Sequence, residues 1–303
     1  MKIATAFIIF AGCTANITAP SMVDNELDTL EDDGSVSAGD DTDDTLSPEP
    51  QDYRIVGTHS VSLTTQTIAA SCQMETHIFT PAADTGAPLI VLGHGFARSA
   101  DQVTGWAEHL ASWGFIVAAP QLCHSSLWDT DHELNGEDML VIADVLGAGE
   151  VIYAGHSAGG LSALIAGALD VRTVGVVGLD ATDADGVGLG YAPLLSAPAL
   201  GLLGEPSDCN ADCNGSELYE TVSDSVAVRV TDADHCDYES DTDWMCTTFC
   251  TNSAATFSDD EIQTTIRGLM TAAAFEITDG QSGWWLSGMY YESLLSEGRL
   301  SPL

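Results

Sequence analysis

The feature that most constrains this chain is the stretch from Val151 to Gly160, where a β-branched apolar run meets Gly-His-Ser-Ala-Gly and a helix of small residues follows. A strand that turns directly into a helix leaves the serine with strained dihedrals and its hydroxyl exposed above the sheet edge. The residues two positions before and after it must be glycine to avoid collision. Gly155 and Gly159 occupy those positions around Ser157. The stretch therefore predicts a strand–turn–helix elbow that presents Ser157 as a nucleophile.

Short apolar runs alternate with helical patterns on both sides of this elbow. Apolar runs typical of buried strands cover residues 89–92, 115–120, 174–179, 198–204 and 225–230, helical patterns cover 99–113, 137–146 and 259–277, and residues 58–68 and 75–80 suggest an antiparallel strand pair. Strands that alternate with helices form a mostly parallel central sheet with helices on both faces. The sequence therefore predicts one α/β catalytic domain over residues 53–303.

The N-terminal residues predict export. Lys2 precedes an apolar run that is too short to span a bilayer, and Ala-Gly-Cys13 follows it. We interpret residues 1–20 as a signal peptide. Its ending resembles a bacterial lipoprotein signal in which Cys13 is lipidated and tethers the protein to a membrane, and plain secretion is the alternative. Residues 21–52 are acidic and poor in aromatics, which predicts a disordered linker.

The charge of the chain disfavours some classes of partner, and its cysteine content indicates the cellular compartment. Lys and Arg number 7 against 46 Asp and Glu, a formal net charge of -39, which disfavours nucleic acid and anionic membrane surfaces. Eight cysteines in an exported chain indicate disulfides. The spacings of Cys209 with Cys213 and of Cys246 with Cys250 also allow zinc. We prefer disulfides beside the active site, because histidine pairs are lacking nearby. We expect neither a metal nor an organic cofactor.

A serine hydroxyl needs a general base, and the base needs a carboxylate that fixes its tautomer. His235, which follows a predicted strand, is the histidine downstream of Ser157. Asp180 directly follows the strand after the elbow, and Glu205 and Asp208 follow the next strand. We favour Asp180, because a carboxylate that ends an apolar run is poorly solvated unless a partner holds it. Glu205 and Asp208 remain alternatives.

The developing oxyanion needs two backbone N–H donors. We expect one from Ala158, directly after the nucleophile at a helix N-terminus. The second is expected from Phe96, in the loop that follows the strand at residues 89–92. His94 and His156 are interpreted as packed neighbours that shape these turns.

The motifs together resemble the chlorophyllase branch of the α/β-hydrolases, and the related platelet-activating-factor acetylhydrolases and cutinase-like polyester hydrolases. The resemblance rests on Leu-Gly-His-Gly-Phe96, on residues 113–122, on Gly155-His-Ser-Ala-Gly-Gly160, on Val-Gly-Leu-Asp180 and on His235-Cys-Asp. It implies an α/β-hydrolase fold and an esterase whose acid follows the strand after the elbow, as Asp180 does. Chlorophyllases usually carry Arg where Ala158 stands, which argues against chlorophyll as the substrate.

The sequence therefore predicts an exported serine hydrolase that cleaves a small-molecule or polymeric carboxylic ester through an acyl-enzyme. Ser157, His235 and Asp180 are the expected catalytic residues, with the oxyanion held by Phe96 and Ala158. The alternatives are an amidase or thioesterase, or an inactive surface binding protein on the same fold.

Overall fold

A computed structural model describes residues 51–83, 85–250, 255–280, 283–301 and 303. The predicted signal peptide, Cys13 and most of the predicted linker lie outside these residues. The first described residues already contact the domain, since the Gln51 carbonyl accepts a hydrogen bond from Trp285 Nε1 at 2.9 Å. No helix in the described ranges is long and apolar enough to cross a membrane.

A nine-stranded sheet organises the described part of the chain. Its strands are β1 (Val61–Ala69), β2 (Gln73–Pro81), β3 (Leu89–Gly93), β4 (Ile116–Pro120), β5 (Val151–His156), β6 (Thr173–Leu179), β7 (Ala199–Leu203), β8 (Ser225–Val230) and β9 (Leu300–Ser301). Their spatial order is β1-β2-β4-β3-β5-β6-β7-β8-β9. Strands β3 to β8 are mutually parallel, whereas β2 is antiparallel to both of its neighbours and β9 to β8. This is the α/β-hydrolase fold that the sequence predicted.

Helices cover both faces of the sheet. They are α1 (Thr104–Ser112), α2 (His132–Val145), α3 (Ala158–Leu169), α4 (Val187–Tyr191), α5 (Ser216–Thr221), α6 (Trp244–Phe249), α7 (Asp259–Asp279), α8 (Gly283–Leu286) and α9 (Met289–Ser296), with 3₁₀ turns at Ala100–Val103, Ala192–Leu194, Asp208–Asn210 and His235–Tyr238. Alternate residues of β3 point to opposite faces. Ile90 and Leu92 pack in the cluster that contains α1 and α7 residues, and Val91 packs with residues of α2 and α3.

Helix α2 begins earlier than its apolar pattern predicted. We expected a start near residue 137, but the Asp131 side chain accepts a hydrogen bond from Leu134 N at 3.0 Å and caps a helix that begins at His132. Gly136 weakens the helical pattern in the first turns. It is required there, because a Cβ at this position would lie 2.8 Å from Ile165 Cγ2 on α3.

The C-terminal aromatic residues belong to the core. Trp285 is fully buried and stacks on Tyr290 with ring centroids 4.5 Å apart, and Tyr53 stacks on Phe275 at 5.0 Å. These rings close the α7 side of the sheet and attach the start of the domain to its end. The C-terminal aromatic segment therefore packs the fold, as aromatic clusters commonly do.

Three disulfides join loops of the domain: Cys72–Cys123, Cys209–Cys250 and Cys236–Cys246. Cys213 is a buried thiol outside these bonds. The disulfide interpretation is therefore confirmed, and the sulfur atoms of Cys209, Cys246 and Cys250 are bonded in disulfides rather than free as thiolates. Such crosslinks are consistent with an extracellular protein.

Candidate active site

Ser157 lies at the turn between β5 and α3, in a strained backbone conformation with φ 56° and ψ −125°. A Cβ at Gly155 would lie 2.3 Å from the Gly159 carbonyl oxygen, and one at Gly159 would lie 2.4 Å from the His94 oxygen. Both distances are far below van der Waals contact, so neither position accepts a side chain. The glycines let the helix start directly above the strand end, which is the elbow that the sequence predicted.

His235 joins the serine to a carboxylate through both of its ring nitrogens. Its Nε2 lies 2.9 Å from Ser157 Oγ, and its Nδ1 lies 2.6 Å from Asp180 Oδ2. All three side chains are buried. A hydrogen bond from the Nδ1–H of His235 to this carboxylate leaves the Nε2 lone pair facing the serine hydroxyl. This arrangement can accept a proton from Ser157.

Secondary structure places these groups at one edge of the sheet. Ser157 follows β5, Asp180 follows β6 and His235 follows β8, and the carboxyl ends of parallel strands meet at the same edge. His235 opens a 3₁₀ turn whose N-cap, Asp234, accepts a hydrogen bond from Cys236 N at 2.8 Å. The structure thus brings together the three residues that the sequence proposed for catalysis.

Asp180 is 1% exposed and is held by more groups than the sequence suggested. Gly204 N donates to its Oδ1 at 2.9 Å, and the side-chain amide of Asn210 donates to its Oδ2 at 3.1 Å. Asn210 is fully buried, and its Oδ1 accepts hydrogen bonds from Ser207 N and Cys213 N. These donors solvate a carboxylate that water cannot reach.

Asn210 was missed from the sequence. Its only local signal is Ser207, three positions earlier, which forms a capping box with Asn210. A capping box predicts a turn, but it does not predict which distant side chain the Asn210 amide contacts.

The two alternative acids lie elsewhere. The Glu205 carboxylate accepts a hydrogen bond from Asp232 N at 3.2 Å, and Asp208 is exposed on its 3₁₀ turn. In the described residues, the hydrogen bonds of His235 Nδ1 lead to Asp180 and not to either of these side chains.

The loop after β3 lies against the serine. A Cβ at Gly95 would lie 3.2 Å from Ser157 Cβ, so the backbone at this point approaches the nucleophile closely. The amides of Phe96 and Ala158 have no protein acceptor among the hydrogen bonds of the described residues. The two residues that were predicted as oxyanion donors thus flank Ser157, one in this loop and one at the start of α3.

His94 shapes this loop, as we expected. Its Nδ1 donates to the Gly95 carbonyl at 2.9 Å, and its Nε2 accepts from Leu122 N at 3.0 Å. Burial lowers the pKa of His94 to about 4, so the ring is neutral near pH 7 and keeps this donor–acceptor pattern. Ala97 N then donates to the Ser125 carbonyl at 2.6 Å, which joins the loop to the following segment.

A groove of about 520 Å³ lies beside the loop. Its lining contains no acidic side chain: Cys72, Gln73, Ala97, Arg98, Gln121, Leu122, Cys123, Ser125, Ser126, Leu127 and Trp128. Strands Ser125–Ser126 and Asp129–Thr130 form a small ribbon on one wall. At its tip, Leu127 and Trp128 are 72% and 95% exposed. The groove is thus lined by polar and apolar groups beside the Phe96 loop, and Leu127 and Trp128 add an exposed apolar surface to it.

Two groups of side chains in the described ranges are close enough together to hold a metal: Cys236, Cys246 and Cys250, and Cys123, His124 and Asp138. Every cysteine in them is bonded in a disulfide. Neither group contains Ser157, Asp180 or His235.

Comparison with known proteins points to the same fold. The chlorophyllase family model matches residues 53–193, a span that contains the Phe96 loop, Ser157 and Asp180 and ends before His235. A search of curated proteins found no match. The family model suggests an esterase-like hydrolase function. The chain is a member of the α/β-hydrolase superfamily that resembles the chlorophyllases over residues 53–193.

Proposed function

We propose that this protein is an exported serine hydrolase that cleaves carboxylic esters through an acyl-enzyme on Ser157. The observation that carries the proposal is the chain of hydrogen bonds from Ser157 Oγ through His235 to Asp180, at 2.9 and 2.6 Å. A serine hydroxyl is a weak nucleophile until a base within hydrogen-bond reach can take its proton. The match to the chlorophyllase family supports ester hydrolysis rather than another reaction of this superfamily.

In the proposed mechanism, Ser157 Oγ attacks the ester carbonyl carbon while its proton passes to His235 Nε2. Asp180 keeps His235 in the required tautomer and stabilises the imidazolium. The amides of Phe96 and Ala158 donate to the oxyanion. The intermediate collapses, the alcohol leaves with the proton from His235, and the acyl group remains on Ser157. Water then attacks with His235 as base, and the acid is released.

We propose an uncharged, apolar ester as the substrate class, either a small molecule or a polymer. The groove beside the Phe96 loop carries no acidic side chain, although the chain has 46 Asp and Glu. The one cation in its lining, Arg98, is paired with Glu239 and Asp243. The exposed Leu127 and Trp128 border that groove and can cover a hydrocarbon chain. A net charge of -39 disfavours an anionic substrate surface.

The direct test is hydrolysis of p-nitrophenyl esters of increasing acyl length by the wild type and by Ser157→Ala. We expect turnover to fall by about 10⁴-fold or more in the variant. Ser162→Ala is the matched control, because Ser162 is a buried serine on α3 whose hydroxyl donates to the carbonyls of His132 and Ala158. Equal turnover by wild type and Ser157→Ala would reject the mechanism.

Adding the matching anilides, thioesters and a fluorophosphonate to this panel separates the alternative functions. Faster turnover of the matching anilide or thioester would make the protein an amidase or a thioesterase. A wild type that neither hydrolyses any of them nor reacts with a fluorophosphonate would be a binding protein on a hydrolase fold.

We also propose that Cys13 is lipidated after export and tethers the domain to a bacterial membrane. The three disulfides support an oxidising compartment. Cys13→Ala should abolish incorporation of a labelled fatty acid and release the protein from membranes. Unchanged membrane attachment in that variant would contradict a tether through Cys13. A wild type that carries no lipid and is found free of the membrane would favour plain secretion.

A further inference from the structure

A buried ion pair connects the turn that carries His235 with the loop that carries Phe96. Arg98 donates from Nε and Nη2 to the two carboxylate oxygens of Glu239, at 2.6 and 2.7 Å. The Glu239 side chain is fully buried and that of Arg98 is 9% exposed. Arg98 lies two residues after Phe96, and Glu239 directly follows the 3₁₀ turn His235–Tyr238. The pair therefore joins two segments separated by 141 residues.

The same pair lies against the elbow. His156, the residue before the nucleophile, donates from Nε2 to the His235 carbonyl at 3.0 Å. Its Nδ1 lies 3.9 Å from Glu239 Oε1. Burial holds the pKa of His156 well below its usual range, so the ring is neutral and uses its one proton on His235. His156 therefore contacts both the 3₁₀ turn that carries His235 and the Arg98–Glu239 pair.

Arg98 also reaches beyond Glu239. Its Nη1 donates to both carboxylate oxygens of Asp243, at 3.1 and 3.0 Å. Asp243 caps α6 by accepting from Met245 N and Cys246 N. Cys246 is bonded to Cys236, which directly follows His235. Arg98 is thus also connected to His235 through Asp243, helix α6 and the Cys236–Cys246 disulfide.

The fold itself has other attachments at this place. Trp106 Nε1 donates to the Tyr238 carbonyl at 2.8 Å, and Ser240 N donates to the Gln102 carbonyl at 2.8 Å. A buried ion pair loses hydration that its attraction hardly repays, and apolar replacements of similar size are often neutral for stability. Fold stability therefore does not explain why a charged pair lies at this place.

We propose that Arg98 and Glu239 are positioning residues, which hold the base His235 and the oxyanion loop in one fixed geometry around Ser157. The inference rests on the proposed esterase function. Neither side chain contacts the reacting atoms. Their two-point contact sets the separation of the two segments, and transition-state stabilisation is sensitive to that separation, since a misplacement of about 1 Å can cost about 10²-fold in rate.

The test is the double variant Arg98→Met with Glu239→Leu in the full chain. We expect kcat for a short p-nitrophenyl ester to fall about 10- to 100-fold, with KM for that ester and the unfolding midpoint near the wild-type values. A short ester is used because Arg98 also lines the groove that we propose for long acyl chains. The control makes the same changes at Arg172 and Asp170, a bidentate pair with distances of 2.9 and 2.8 Å. That pair lies at the opposite end of α3 from Ser157, about 18 Å along the helix. We expect the Arg172→Met, Asp170→Leu control to keep the wild-type kcat.

A folded double variant with wild-type kcat would overturn the inference. If the double variant does not fold, Arg98→Lys decides, because it keeps the charge and loses the two-point contact. A several-fold lower kcat at unchanged KM supports positioning, and an unchanged kcat overturns it. Failure of the proposed function is distinguishable, because it would appear as a wild type without turnover that depends on Ser157.

Discussion

Replacing Asp180 by asparagine should disable His235 without removing it. Asp180 Oδ1 accepts from Gly204 N at 2.9 Å, whereas Oδ2 faces His235 Nδ1 at 2.6 Å. In Asp180→Asn, an amide oxygen at the Oδ1 position keeps the Gly204 N–H and also lies 3.4 Å from the Asn210 amide, which can donate to it. The other orientation would place the new NH₂ group against the buried Gly204 N–H, at about 1–3 kcal/mol. The new NH₂ group then faces His235. It forces the ring proton onto Nε2, where it points at Ser157.

The expected loss follows from this tautomer. With a proton on Nε2, His235 cannot accept the proton of the Ser157 hydroxyl, and the comparable change in a Ser-His-Asp triad costs about 10⁴ in kcat. That factor corresponds to about 5.5 kcal/mol of transition-state stabilisation. Glu205→Gln is the matched control, because the Glu205 carboxylate accepts from Asp232 N and does not contact His235. We expect that control to change kcat by less than about threefold.

The assay is steady-state hydrolysis of one p-nitrophenyl ester at saturation, with the unfolding midpoint measured on the same samples. An Asp180→Asn variant that is folded and retains more than about a tenth of wild-type kcat would refute the reasoning. A large loss in Glu205→Gln would move the acid to that residue.

Three further changes test other parts of the site. Burial and then the neighbouring Asp234 raise the pKa of Asp237 to about 7, so the folded state binds a proton that the unfolded state releases, and stability falls as pH rises from about 4 through 7. The free energy of unfolding of Asp237→Asn should therefore exceed that of the wild type at pH 8, by up to about 4 kcal/mol, and should not exceed it at pH 3. Urea unfolding measures this difference, and a difference that does not depend on pH would contradict the prediction. Trp128→Ala should raise KM for long-chain esters about fivefold or more while leaving short esters and the unfolding midpoint unchanged, and equal KM values would exclude the groove from binding. Replacing Cys236 and Cys246 together by serine should lower kcat more than replacing Cys209 and Cys250, since only the first bond adjoins the base; ester assays on both double variants would detect the reverse order.

The parallel half of the fold was predictable because burial on both faces leaves a strong pattern. Strands β3, β5 and β7 are entirely buried, and each appears in the sequence as a continuous apolar run. The elbow was predictable for a steric reason, since its two glycines have no room for a Cβ. The start of α2 was not, because a cap at Asp131 and a packing glycine determine it.

Contacts between distant segments could not be predicted in the same way. Asp180 was preferred on solvation grounds, but its donors Gly204 and Asn210 come from a loop whose path depends on β7 and a 3₁₀ turn. The partners of Arg98 lie 141 and 145 positions away along the chain. Disulfide pairing likewise depends on which loops meet, and cysteine spacing does not determine that.

The most direct test of the central proposal is to label the purified protein with a fluorophosphonate and locate the adduct by peptide mass spectrometry. Only a serine activated by a neighbouring base reacts rapidly with this reagent. We expect one adduct per chain, on Ser157, with loss of esterase activity in proportion to labelling. Ester turnover that persists in fully labelled protein, or an adduct on another serine, would contradict the proposal that Ser157 is the nucleophile.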